Sequence, residues 1–180
     1  MGRTIRRVPP NYQAPQTLTH RGLEFQPKRN CRLVEEQAQW DRDNEAWNNG
    51  THETLVDDPE LKIKYPKYED WTSKRPDDPE YYLDYDPDDE KLCIWWQLYE
   101  SVSEGTPVSP PFATKEELAS YLSTYGDFWE QERAKRDRRP LNLMTYEQAM
   151  KVVEGGWLPS MAIKGGRVLT DGDLVDEVLG

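Results

Sequence analysis

The sequence predicts an α+β fold: a small antiparallel sheet with a few capped helices, plus a basic extended N-terminal arm and a long acidic loop. Three observations predict it. Lys91 to Tyr99 (KLCIWWQLY) is dense in the bulky and aromatic groups that suit a strand. Thr114-Lys115-Glu116-Glu117 and Thr145-Tyr146-Glu147-Gln148 are capping boxes, in which the two end side chains satisfy free N–H groups at a helix start. Met161 to Lys164 and Arg167 to Thr170 flank Gly165-Gly166 as the arms of a hairpin with a two-residue turn.

Taken in order, residues 1–32 form the basic Pro-rich arm. They hold seven Lys/Arg against one acid, Glu24, and Pro9, Pro10, Pro15 and Pro27 favour extended or irregular chain. Residues 33–50 are expected to be a helix packing on the core. Leu33, Trp40 and Trp47 recur every seven residues, with Val34 and Ala38 close to the same face, and Asn48-Asn49-Gly50 stops it. Residues 51–90 read as an acidic Pro/Tyr-rich loop, pinned by its aromatics and broken by Pro59, Pro66, Pro76, Pro79 and Pro87.

Residues 91–180 form the small α+β core domain. After the strand, Glu104-Gly105-Thr106-Pro107 is a turn, and Pro107, Pro110 and Pro111 keep the chain extended to Phe112. The first capped helix runs through Tyr121 and Leu122 to Gly126. A charged helix covers Phe128 to Arg139 and stops at Pro140. The second capped helix turns Tyr146, Met150 and Val153 inward and ends at Gly155-Gly156.

Composition sets the class. Charged residues make up 32% and the mean hydropathy is −0.97, values that favour disorder. Against this stand 7 Trp, 10 Tyr and 3 Phe. Each buried ring removes roughly 150–250 Å² from water, so an aromatic-rich core is expected. Met1 to Pro10 is basic with no apolar h-region, and no apolar run approaches a membrane span, so a cytoplasmic location without membrane contact is expected. Cys31 and Cys93 suit free thiols in a reducing compartment. A net charge of −11 disfavours general binding to nucleic acid or an anionic membrane.

No catalytic constellation, cofactor motif or metal site is legible. His20, His52, Cys31 and Cys93 are all the His and Cys present, and none form the close pair a zinc site needs. They offer no oriented Cys–His nucleophile either. Asp84-x-Asp86-x-Asp88-x-Glu90 has the spacing of the front of a calcium loop. Asp89 and Trp95 stand where the helix-loop-helix form requires Gly and Glu.

The candidate partner-binding residues lie in that same segment. Asp77, Asp78, Glu80, Asp84, Asp86, Asp88, Asp89 and Glu90 carry eight carboxylates with no base among them, and Tyr81, Tyr82 and Tyr85 are interleaved as anchors. In an extended chain, alternate carboxylates step by about 6.6 Å. That step is comparable with phosphate spacing along a nucleic-acid strand, so the row is expected to fit a nucleic-acid-binding groove. Glu104, Thr106 and Ser109 form a second, polar candidate contact. Arg3, Arg6 and Arg7 are the candidates for an alternative in which the arm touches nucleic acid.

Gly2 to Pro15 (GRTIRRVPPNYQAP) and Trp95 to Leu122 (WWQLYESVSEGTPVSPPFATKEELASYL), with a weaker echo over Thr145 to Val168, resemble a family of small phage and prophage proteins of unassigned activity. The resemblance implies a bacterial cytoplasm during phage growth or lysogeny as the setting. Some similar sequences carry a cysteine-rich insertion where this chain has its acidic loop, so no metal role transfers. The expected function is that of a non-enzymatic accessory protein that binds a host or phage protein with a basic surface. Its sharpest form is an acidic, nucleic-acid-mimicking inhibitor of a host defence complex such as CRISPR or restriction. The alternative is a nucleic-acid-processing or morphogenesis factor using the basic arm.

Overall fold

The computed structural model describes residues 2–19, 22–26, 28–101, 105–159, 162–164 and 167–169. They fall into two compact units. Residues 1–28 join 87–180 in one, and 29–86 form the other. The fold is α+β.

The first unit is built on a four-stranded sheet. Its strands are β1 (Gly2–Val8), β4 (Trp95–Glu100), β5 (Thr106–Pro107) and β6 (Trp157–Pro159), ordered β5-β4-β1-β6. Every adjacent pair is antiparallel. Two further hairpins stand apart from it: β2 (Gln16–Thr19) with β3 (Gly22–Phe25), and β7 (Ala162–Lys164) with β8 (Arg167–Leu169). The second of these matches the expected C-terminal hairpin, whose Gly165-Gly166 turn lies outside the described residues.

The N-terminal segment is therefore not an arm. Gly2–Val8 is an interior strand, with β4 on one side and β6 on the other. Its arginines are tolerated because each has a specific cover. Arg3 Nε meets Asp127 Oδ2 at 2.7 Å, both side chains being buried. Arg6 lies over the Tyr99 ring at 4.5 Å, and Arg7 over Trp96 at 5.3 Å.

Among its described residues this unit has three helices: α5 (Lys115–Tyr125), α6 (Phe128–Asp137) and α7 (Tyr146–Gly155). Thr114 and Thr145 accept the N–H groups of Glu117 and Gln148, so both capping boxes form as predicted. Leu118, Ala119 and Leu122 of α5 pack with Ala149 and Val153 of α7 against Leu98 and Val108. The spacing of three and four puts these on one helix face. Tyr146, expected inward, is 45% exposed, and Ala149 and Val152 occupy the buried face instead. Pairing alternates side chains across the sheet, so Gln97 and Tyr99 point away from Leu98. They are nonetheless buried, and Tyr99 Oη donates to Gln97 Oε1 at 2.9 Å.

The second unit has no strand among its described residues. Helix α1 (Leu33–Asn49) leads into α2 (Glu53–Asp57), α3 (Leu61–Lys64), α4 (Tyr68–Trp71) and a 3-10 turn at Pro79–Tyr81. The predicted loop over 51–90 carries three short helices and one 3-10 turn, with irregular chain between them. Helix α1 contributes to a core within the second unit, made of Trp47, Leu55 and Tyr68 with Trp40, Leu61 and Tyr65. Val34 and Ala38 are exposed, so the buried stripe is narrower than expected. Side chains of α1 also hold the following chain: Trp47 Nε1 donates to Tyr65 O (3.1 Å), Trp40 Nε1 to Ser73 O (3.0 Å) and Gln37 Nε2 to Pro76 O (2.8 Å). No described helix is long and apolar enough to cross a membrane.

Candidate functional site

The acid is concentrated in one place. Residues 29–86 hold 16 Asp/Glu against eight Lys/Arg, a net −8 of the chain's −11. Within this unit Asp77, Asp78, Glu80 and Asp84 are exposed, and Asp86 is half-buried with its carboxylate 3.7 Å from Arg32. The segment is clamped to the start of the unit. Arg29 N–H donates to Tyr81 O (2.8 Å), Leu83 N–H donates to Cys31 O (3.1 Å), and Tyr82 and Leu83 are buried. Of the three tyrosines expected as anchors, Tyr81 is presented at 48% exposure and Tyr85 is half-buried. Tyr82 packs inside, with the Arg29 guanidinium 5.8 Å from its ring.

The extended row of carboxylates does not form. Asp78 accepts the Glu80 N–H at 2.9 Å and starts the 3-10 turn, and bends follow at Tyr82, Asp84 and Tyr85. Proline at the first position of that turn is the physical reason, since its fixed φ suits a helical start. Asp88, Asp89 and Glu90 belong to the first unit. There Asp89 accepts the N–H groups of Lys91 (2.9 Å) and Leu92 (3.2 Å), and Glu90 pairs with Arg7 at 3.2 Å. What survives is a dense field of exposed carboxylates without phosphate-like stepping.

The other candidates are placed differently. Ser109 is fully buried and works as an internal link. Its Oγ accepts the Leu98 N–H (3.0 Å) and donates to Pro110 O (2.9 Å), and its carbonyl accepts from Gln97 Nε2 (2.8 Å). It is not an exposed contact. Thr106 is half-buried in β5, and Glu104 lies outside the described residues. Arg3 is sealed inside by Asp127, and Arg6 and Arg7 lie over aromatic rings, so the three arginines do not form an extended basic arm.

His52 caps α2 by accepting the Thr54 N–H on Nδ1 (3.2 Å) and lies against Trp47, while His20 is outside the described residues. Neither Cys31 nor Cys93 is joined in a disulfide. Burial, followed by the charge of Glu36 and a hydrogen bond to it, pushes the Cys31 thiol up to about 11. That leaves it protonated and a poor nucleophile. Among the described residues no three His, Cys, Asp or Glu side chains gather as metal ligands.

Sequence reasoning missed a second surface, in the first unit. An open groove of about 570 Å³ runs between the start of β4, the 111–113 segment and α5, lined by Trp95, Pro111, Phe112, Glu117, Tyr121 and Tyr125 among others. Phe112 and Tyr121 rings lie 5.2 Å apart, and Tyr121 and Tyr125 rings 5.4 Å apart. Tyr121 and Tyr125 sit one helical turn apart, a spacing visible in the sequence. Trp95 and Phe112 join them through long-range pairing, which no local pattern reveals. Comparison with protein-family models, curated proteins and solved structures finds no match.

Proposed function

We propose that this is a non-enzymatic accessory protein whose acidic unit, residues 29–86, binds a protein with a basic surface in competition with nucleic acid. The observation that carries the reading is the net −8 within 58 residues, held on short helices around an aromatic core. A fixed field of one sign accelerates encounter with an opposite surface. The phage-like motifs supply the setting, in which the partner is a host defence complex that holds nucleic acid in a basic groove.

Capture on the tagged full chain from nuclease-treated extracts of phage-infected bacteria tests this. The expected eluate is a nucleic-acid-binding complex that added DNA displaces. A virion protein, or nucleic acid bound directly, overturns the reading. With the partner in hand, replacing Asp77, Glu80 and Asp84 by their amides should lower the association rate about tenfold and flatten its salt dependence.

A further inference from the structure

We propose that the aromatic groove of the first unit is a docking site for a short proline-rich peptide carrying a basic flank, a surface separate from the acidic unit and not resting on it. Three properties of the lining point to this ligand. The rings of Trp95, Phe112, Tyr121 and Tyr125 with Pro111 give an apolar floor in an open trough rather than a closed cavity. Proline rings pack on such floors, and the polyproline helix enters with little ordering cost because it is already stiff.

The second property is hydrogen bonding. A polyproline helix has no internal hydrogen bonds, so its carbonyls need donors. The Trp95 indole N–H and the Tyr125 hydroxyl line the groove and make no hydrogen bond among the described residues. Tyr121 is different, since its hydroxyl accepts from Gln131 Nε2 at 2.9 Å and it serves as floor. Two such donors in a ring-lined trough suit a backbone whose prolines offer only acceptors.

The third is charge. The charged side chain lining the groove is a carboxylate, Glu117. Its Oε2 accepts the N–H groups of Ala113 (3.1 Å) and Thr114 (3.3 Å) to cap α5, which fixes the side chain at the groove's edge. Oε1 faces no cation among the described residues. An Arg or Lys beside the prolines answers that charge.

The test is fluorescence anisotropy with the full chain and a fluorescein-labelled decapeptide containing Arg followed by a Pro-x-x-Pro core. Two control peptides have the prolines, or the arginine, replaced by alanine. The expected result is saturable binding that is lost without the prolines. Tyr125→Ala, at a 56% exposed position, should weaken it about fivefold or more with an unchanged melting curve. Trp95→Phe, which keeps a ring and removes the donor, should weaken it less. Glu117→Gln, which preserves the capping box, should abolish a roughly threefold preference for the Arg-flanked peptide. Absence of saturable binding, equal binding of the alanine control, or full binding by both Tyr125→Ala and Trp95→Phe overturns the proposal. A dimer in sedimentation that Tyr125→Ala dissolves, with no peptide binding, also overturns it and assigns the groove to a second copy.

Discussion

The two units bury their interiors by different means. In the first, aliphatic side chains of α5 and α7 (Leu118, Leu122, Val153) close over a sheet strand carrying Leu98, and a buried Arg3–Asp127 pair sits beside them. In the second, a few large rings replace both the sheet and the aliphatic layer. Trp47 is fully buried, with Tyr68, His52 and Trp71 rings 5.5–5.8 Å from one another or from it. The contrast explains how a segment so rich in acid and proline stays ordered. Rings bury much area per residue, so few are needed, and every other position is left to charge.

Removing the centre of the second unit is the strongest way to break that contrast. Trp47→Ala should cost about 3–5 kcal/mol and abolish amide-exchange protection over 33–73 while Leu98 and its neighbours keep theirs. Equal loss in both regions would show that the two interiors are one cooperative system. The counterpart in the first unit is Asp127→Ala, which removes the buried salt bridge to Arg3 and the α6 cap. It should also cost about 3–5 kcal/mol in urea unfolding. Asp127→Asn keeps the cap and should be less severe. An effect below about 1 kcal/mol would mean that water reaches Arg3.

Gly105 offers a smaller perturbation. Its φ is +101°, and a Cβ there would clash with the Arg6 guanidinium. The guanidinium must shift to clear it, which disturbs its place over the Tyr99 ring. Gly105→Val should therefore lower stability by about 2–3 kcal/mol, from backbone strain plus the disturbed cation–π contact, with a lower melting temperature as the readout.

The smallest effect concerns acid. Burial alone would raise the Glu130 pKa. Hydrogen bonds from Arg139 (2.6 and 2.9 Å) and the Asn142 N–H (2.6 Å) outweigh it and hold the carboxyl below its usual value. A depressed folded-state pKa stabilises fully above the unfolded value, near 4.3, and the gain is lost as pH falls through the folded one. Glu130→Gln should lower stability at neutral pH by about 2 kcal/mol and flatten the acid limb of the stability curve below about pH 5. An unchanged acid limb would refute this role.

What the sequence reveals tracks how local each signal is. Helices α5 and α7 are legible because their caps and stops, Thr114 and Gly126, Thr145 and Gly156, act within a turn or two. Strand β1 is illegible because GRTIRRV looks like solvated chain until Asp127, Tyr99 and Trp96 are placed beside its arginines, about 90 to 120 residues away. The short helices of 51–71 fall below the length at which periodicity can be read. Yet Asp58-Pro59-Glu60 and Asp78-Pro79-Glu80 carried a usable cue, an acidic residue before a proline that opens a turn. For the candidate surfaces, counting carboxylates singled out residues 77–90, whose last four residues belong to the first unit, and the spacing of these acids depended on that turn. The groove needed Trp95, Phe112 and Tyr125 brought together from separate elements.

The place of β1 in the sheet also bears on how the chain is made. A ribosome produces Gly2–Val8 before either neighbour, since β4 follows some 90 residues later and β6 some 150 residues later. At about 5–20 residues per second, the strand waits roughly 8–30 s for its second neighbour. Through that interval its backbone N–H and C=O groups lack their native partners, and the sheet cannot close vectorially. Like charges at Arg3, Arg6 and Arg7 along the unpaired strand disfavour its pairing with the same strand of another nascent copy.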